Sequence, residues 1–146
     1  MFEKLFSPEA VQQALDVLKT EIPFGIWETV YVTVLATVLA AVIGLPLGVL
    51  LVAGDENGVR PLPKPLMHVV NVIINLLRSI PFLILMIMAF PLSRVIVGTT
   101  VGTVASIVPL VVAAFPFVAR LVEGSLREVD GNIIEAAQSM GATPVQ

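Results

Sequence analysis

The 146-residue chain has no cysteine and a single histidine, and only 13% of its residues are charged. Without cysteine it can form no disulfide, thiolate nucleophile or thiolate metal site, and one histidine cannot build a histidine metal cluster. Eight basic residues against eleven acidic ones give a net charge of −3, which leaves no basic surplus for binding nucleic acid. We therefore predict neither a metal site nor a nucleic-acid partner.

Motifs for catalysis are also missing. Gly98 and Gly102 are not followed by a Lys-Ser or Lys-Thr pair, so the sequence contains no nucleotide-binding loop. The patterns HExxH and GxSxG do not occur either. The sequence thus predicts no catalytic residue, no cofactor held by this chain, and no ATP hydrolysis by this chain alone.

Apolar residues, in contrast, are abundant: 57% of the chain is hydrophobic and the mean hydropathy is +0.98. Residues 29–54 and 95–119 carry no charge, and residues 65–93 are interrupted only by Arg78. A helix needs about 20 predominantly apolar residues to cross a bilayer. We predict an all-α membrane protein with three transmembrane helices, near residues 29–53, 66–90 and 100–122.

Residues 1–25 form a separate N-terminal segment in this interpretation. A helix over residues 7–22, with Ser7 as its N-cap, places one set of apolar side chains on a single face. These are Val11, Ala14, Leu15, Leu18 and Ile22. The segment is either an anchor on the membrane surface or a helix packed on the bundle, and its acidic polar face favours the second. Acidic residues precede the first long apolar run, so we expect no cleaved signal peptide.

Small residues recur at steps of four along the first span, at Ala36, Ala40, Gly44 and Gly48. Such a stripe allows the backbone of another helix to approach closely, which is how helices associate in lipid. The pattern predicts a helix-packing face and says nothing about function.

A polar seam runs along the second span, at His68, Asn71, Asn75 and Arg78. Steps of three, four and three place these residues within about 80° of one another on a helix. An arginine within the membrane must face protein, a partner or water. Pro81 removes a backbone donor and predicts a bend or break beside Arg78.

This polar seam has two interpretations. It lines a translocation path or contacts a second copy of the chain, or Arg78 is structural, reaching to an interface or capping carbonyls that Pro81 leaves free. The residues by themselves do not separate the two.

A short polar-flanked helix is predicted after the third span, near residues 131–141. Asp130 is a suitable N-cap, and Gly141 is suited to the left-handed residue that ends a helix. One face is apolar but small, which fits either a partner's cleft or an ordinary surface helix. Its residues are Ile133, Ala136, Ala137 and Met140.

The sequence Glu135-Ala136-Ala137, followed by Gly141, matches the EAA-x-x-x-G start of the coupling motif of ABC importer permeases. Other stretches resemble the methionine importer permeases. These are Arg78-Ser79-Ile80-Pro81-Phe82, residues 90–99, Ile107-Val108-Pro109-Leu110, Pro116-Phe117-Val118-Ala119-Arg120 and Met140-Gly141-Ala142-Thr143-Pro144. The resemblance extends from about Ile26 to Gln146.

This resemblance implies that residues 26–146 are the start of a five-span type I ABC permease fold. The helix near residues 131–141 is then a cytoplasmic coupling helix, and Glu135, Ala136, Ala137 and Gly141 are its ATPase-coupling positions. In the family the motif continues to an Ile-x-Leu-Pro element and two further spans. Because these are missing after Gln146, we expect a truncated product or a fragment.

The resemblance also implies the partners and the location. The expected partners are a second permease copy, two copies of an ABC ATPase that binds ATP and magnesium, an external methionine-binding lipoprotein and the lipid bilayer. The protein would be a multi-pass protein of the bacterial inner membrane, with its N-terminus outside and the EAA helix in the cytoplasm. The distribution of basic residues, four inside against three outside, does not decide this orientation.

From this resemblance we expect ATP-driven import of D- or L-methionine. One alternative is a truncated, non-transporting subunit that occupies the ATPase or a full-length permease, and another is a permease for a different polar amino acid. A third is an ion-coupled transporter that uses the face of Asn71, Asn75 and Arg78, but three spans without an internal repeat weigh against it.

Overall fold

The computed structural model describes residues 8–143. Its regular elements are all helical, and no strand occurs within that range. In chain order they are α1 (Pro8–Asp16), a π-helical turn (Val17–Glu21), α2 (Ile22–Ala53), α3 (Lys64–Ser79), α4 (Phe82–Val97), α5 (Thr103–Arg127) and α6 (Gly131–Ser139). The prediction of an all-α protein is confirmed.

The N-terminal amphipathic segment is continuous with the first span. From Val11 to Ala53 the chain forms one helix of 43 residues, about 65 Å at 1.5 Å per residue, so there is no break near residue 25. The π-helical turn lies just before Pro23, and its wider backbone accommodates the proline ring. Residues 11–22 are exposed and do not pack on the bundle. Ser7, the expected N-cap, lies outside the described residues.

α2 and α5 run parallel and form the most extensive helix pair of the fold. Near their starts, Thr103 Oγ1 donates a hydrogen bond of 2.8 Å to the Glu28 carboxylate. Just beyond the end of α2, the Asp55 carboxylate accepts a hydrogen bond of 2.8 Å from Nη2 of Arg127. Two parallel helices require a return segment between them, and α3 and α4 supply it.

The predicted second span, near residues 66–90, is two helices in the structure. The axes of α3 and α4 differ by 115°. Ile80 between them is extended, with φ −78° and ψ 129°, because a residue that precedes proline disfavours the helical region. The break that Pro81 predicts beside Arg78 is therefore present, whereas a single continuous helix is not.

The two halves of the broken pair contact α5 differently. α4 runs along α5 and buries Leu85, Ala89 and Ser93. α3 makes a smaller contact with α5, within a cluster of buried residues that also includes α2. The members of that cluster are Leu51, Met67, Ile74 and Ala119.

By length and composition, two helices of the described residues can cross a membrane: the long one that ends at Ala53, and α5. A third crossing exists if α3 and α4 are counted as one broken span. α5 covers Thr103–Arg127 and thus extends five residues past the predicted end near 122. Those extra residues carry charged side chains that become important below.

Candidate functional site

α6 is a short helix with a defined start and a defined end. The side chain of Asp130 accepts a hydrogen bond of 2.9 Å from the amide of Asn132, which is the capping interaction expected of an aspartate there. At the other end, the amide of Gly141 donates to the Gln138 carbonyl at 2.9 Å, and that of Ala142 to the Ala137 carbonyl at 3.0 Å. This pair of bonds is a Schellman motif. It requires a left-handed residue, and Gly141 has φ +89°.

No residue of α6 is buried. Ile133 is 63% exposed and Met140 is 83% exposed, and Glu135 and Ala136 are exposed while Ala137 is half-buried. α6 also faces the loop after α2 across a cleft of about 350 Å³, lined among others by Ile134, Glu135 and Gln138. The EAA-x-x-x-G pattern therefore spans α6 and its C-terminal end, where Ile133 and Met140 are exposed apolar residues in the described part of the chain.

The small-residue stripe of α2 faces α5. Ala36 and Ala40 are 6% and 1% exposed, and Gly44 and Gly48 are buried. A Cβ atom added to Gly48 would lie 2.6 Å from the Cβ of Val122. The two backbones are thus so close at Gly48 that even a methyl group does not fit without movement.

The polar seam of α3 does not act as one unit. Asn71 and Asn75 point to Arg120 of α5, whose Nη2 donates to their Oδ1 atoms at 2.8 and 2.9 Å. His68 and Arg78, which share their helical face, are exposed and make no hydrogen bond or ion pair with residues 8–143. Only the two asparagines therefore form the polar contact between α3 and α5.

Arg120 belongs to a larger set of paired side chains, which we call the charged network. Nη1 of Arg120 donates to Oε2 of Glu123. The other oxygen of Glu123 accepts from Nε of Arg127 at 3.1 Å, and Arg127 also binds Asp55. The charged network consists of Asp55, Arg127, Glu123, Arg120, Asn71 and Asn75.

Burial makes this network energetically important. Glu123 is only 8% exposed, and the side chain of Arg120 is 17% exposed. A carboxylate in such a place is tolerated when opposite charges and hydrogen bonds satisfy it. At the exposed end, the hydrogen bond from Arg127 and a second one from the backbone amide of Glu56 lower the pKa of Asp55 below its ordinary value.

Arg78 lies beside this network without joining it. It lines a cleft of about 360 Å³ together with Phe117, Arg120, Glu123 and Arg127. A cleft with charged side chains thus exists beside the predicted polar seam, but its charges come mainly from α5.

Arg120, Glu123 and Arg127 are not among the site residues predicted from the sequence. A signal for them was available: charges at steps of three and four begin where the uncharged run of α5 ends, a spacing that places them on one helical face. The hydrogen-bond partners of Arg120 on α3 and of Arg127 after α2 are 45 to 72 residues away in sequence. No local pattern reveals such pairs.

Comparisons with known proteins agree with this architecture. Residues 44–146 match the family model of the binding-protein-dependent transport system inner membrane component. The D-methionine transport system permease protein MetI of Escherichia coli K12 is 48% identical over 122 residues, which are 84% of this chain and 56% of that protein. The probable D-methionine permease MetI of Vibrio cholerae is 46% identical over 120 residues, 82% of this chain and 53% of that protein.

A solved structure is similar as well. An inward-facing form of the MetNI methionine ABC transporter aligns with a TM-score of 0.77 and 46% identity, over 83% of this chain and 56% of that one. The chain thus spans about half the length of the relatives it matches. The resemblance to methionine importer permeases is confirmed, and the match over more than half of the chain shows that it belongs to the family of binding-protein-dependent transport system inner membrane components.

Proposed function

We propose that this chain is a permease subunit of an ATP-driven importer that moves methionine across the cell membrane. The observation that carries the proposal is α6: a capped helix with an EAA-x-x-x-G pattern, no buried residue and exposed apolar side chains. The identity of 44 to 48% with D-methionine permeases supports methionine as the substrate.

The proposed partner of α6 is the ABC ATPase. Ala136 and Ala137 present small side chains, so the backbone of α6 can lie close to the wall of a groove in the partner. Glu135 is exposed and can form an ion pair with a basic group of the ATPase. Gly141 ends α6 and so fixes the direction in which the chain leaves the interface.

The complete importer in this proposal contains two copies of the permease, two copies of the ATPase and an external methionine-binding lipoprotein. ATP and magnesium bind to the ATPase. α6 and the loop after α2 lie at the same end of the helix bundle, joined by Asp55 and Arg127. We place that end in the cytoplasm of a bacterial inner membrane, with the N-terminus on the outer side.

The physical basis of the proposed transport is a shift between inward-open and outward-open arrangements. A ligand shifts such an equilibrium only to the extent that it binds one arrangement better than the other. Closure of the ATPase on ATP must therefore displace α6, and this displacement must move the membrane helices as rigid bodies. The break at Ile80 and Pro81 provides a point where α3 and α4 can change their angle.

Uptake of labelled methionine into proteoliposomes tests the proposal. The chain as its gene encodes it is reconstituted with the ATPase and the binding protein of the same organism. Gly141→Val is compared with Gly98→Val, because both glycines have positive φ, +89° and +84°, and neither has an atom within 4 Å of an added Cβ. The two variants thus carry similar backbone strain at the ends of two different helices.

We expect ATP-dependent uptake with the unchanged chain, loss of uptake and of ATPase co-purification with Gly141→Val, and retention of both with Gly98→Val. Equal behaviour of the two variants would contradict the coupling role of α6. Uptake of another polar amino acid in preference to methionine would overturn the substrate assignment, and ATPase binding without any uptake would identify a non-transporting subunit.

A further inference from the structure

We propose that the charged network is the connection through which a movement of α6 reaches α3, with Glu123 as its central positioning residue. This inference rests on the proposed coupling role of α6. It adds a path inside the membrane domain, defined by side chains on α5, on α3 and after α2.

The path begins at Arg127. This residue ends α5 and lies three positions before Asp130, the N-cap of α6. Since no residue of α6 is buried, the helix is held to the bundle mainly through the short segment 128–130. A displacement of α6 therefore acts first on the last turn of α5, where Arg127 binds both Asp55 and Glu123.

Glu123 joins the two halves of the network. One of its carboxylate oxygens accepts from Arg127 and the other from Arg120, and the residue is 8% exposed. Separating either guanidinium from this carboxylate would remove one of the two charged partners of a buried group, which is unfavourable. The carboxylate therefore links the side-chain positions of the two arginines.

Arg120 passes the constraint to α3. Its Nη2 binds Asn71 and Asn75, which are one helical turn apart. Two contacts one turn apart link the rotation of α3 about its own axis, and its distance from α5, to the position of Arg120. Because α3 ends at the break before Pro81, a rotation or tilt of α3 changes the angle to α4.

A connection of this kind requires a second arrangement of its members. The described residues contain hydrogen-bond donors for such a second arrangement. Nε of Arg120 is buried without a hydrogen-bond partner, and Arg78, which lines the same cleft as Glu123, has no partner in residues 8–143. The network can thus exchange hydrogen-bond partners when α3 shifts.

Glu123→Gln tests the proposal, with Glu128→Gln as the matched control. Glutamine keeps the shape of the side chain but removes the charge that holds the two arginines. Glu128 lies five positions later, is exposed, and makes no side-chain hydrogen bond or ion pair with the described residues. The measured quantity is methionine taken up per ATP hydrolysed, in proteoliposomes that contain the permease, the ATPase and the binding protein.

We expect Glu123→Gln to lower methionine uptake per ATP by a factor between about two and thirty, with ATPase co-purification unchanged. Glu128→Gln should leave uptake per ATP at the value of the unchanged chain. A wild-type ratio for Glu123→Gln overturns the proposal. If the unchanged complex itself shows no ATP-dependent uptake, the proposed function fails instead, so the two failures are distinguishable.

A second measurement tests the proposal if the Glu123→Gln variant does not assemble with the ATPase. The chain has no cysteine, so Ser79→Cys at the exposed end of α3 gives a single site in it for a spin label. We expect ATP to change the label's spectrum in the assembled complex, and Asn75→Ala, at an exposed position, to reduce that change. An equal ATP response with and without Asn75 would overturn the path to α3.

Discussion

α5 contacts α2 and α3 through two surfaces of different chemistry. Against α2 the contact is apolar and very close apart from the hydrogen bond between Thr103 and Glu28, with glycines where a Cβ would lie within 3 Å of the facing helix. Against α3 it combines a small apolar cluster around Ile74 with the hydrogen bonds from Arg120 to Asn71 and Asn75. The same helix thus has one neighbour fixed by shape and another fixed largely by charge.

This difference indicates which parts of the bundle move together. Close packing is not deformable without a loss of contacts, so α2 and α5 behave as one body. Side chains that are held by hydrogen bonds can exchange partners, so a small shift of α3 costs less free energy than the separation of closely packed helices. α3 is also separated from α4 by a sharp break. Movement is therefore expected between α3 and the pair of α2 and α5.

The largest expected effect comes from removing the central charge of the polar contact. Glu123→Leu leaves Arg120 and Arg127 without their shared carboxylate, and loss of one member of a buried ion pair destabilises by about 3–5 kcal/mol. Glu128→Leu, in the same stretch but exposed, should change stability by less than about 0.5 kcal/mol. Thermal unfolding in detergent measures both. Similar midpoints for the two variants would contradict the importance of the network.

The apolar contact is tested by Gly48→Ala. The added Cβ would lie 2.6 Å from Val122 Cβ and 2.7 Å from the Ala119 carbonyl oxygen, so α2 and α5 must separate, at a cost of about 1–3 kcal/mol. Gly25→Ala on the same helix meets no atom within 4 Å and should be neutral or stabilising by up to about 1 kcal/mol. If the midpoint of thermal unfolding is higher for Gly48→Ala than for Gly25→Ala, the packing interpretation fails.

A smaller effect is expected at the exposed end of the network. The lowered pKa of Asp55 means that its ion pair with Arg127 is complete above the ordinary value of 3.8 and is lost as the pH falls through the lowered pKa. Asp55→Asn should remove up to about 1 kcal/mol at neutral pH, because the pair is partly exposed. The difference in unfolding midpoint between this variant and the unchanged chain should shrink as the pH drops below about 4; a constant difference would exclude the ion pair as its source.

The smallest effect on stability is expected at Arg78. It has no partner in the described residues, so Arg78→Ala should change stability by less than about 0.5 kcal/mol, as should Arg94→Ala at the exposed end of α4. A transport measurement distinguishes the two variants, because Arg78 lines the cleft beside the charged network and Arg94 does not. We expect uptake to fall for Arg78→Ala only. Equal uptake by both variants would make Arg78 an ordinary surface arginine.

Several features of the fold are predictable because they depend on neighbours in sequence. The long apolar runs, the break at Pro81, the cap at Asp130 and the left-handed Gly141 each follow from a few adjacent residues. The small-residue stripe of α2 also predicts a packing face, although it does not say that α5 is the partner. By contrast, the polar seam of α3 suggests that Arg78 is the central charge, whereas the structure places Arg120 of another helix against the asparagines.

The sequence by itself determined that this is a helical membrane protein, where α6 begins and ends, and which family the chain resembles, because hydropathy, caps and motifs are local properties of the chain. The tertiary structure alone decided that α2 continues into the N-terminal segment, that α2 and α5 run parallel, and that α3 and α4 meet at 115°. It also decided the pairing of Arg120 with the asparagines of α3 and of Arg127 with Asp55. Hydrogen bonds and ion pairs between residues 45 or more positions apart form only after the helices pack, and many pairings are compatible with the same local pattern.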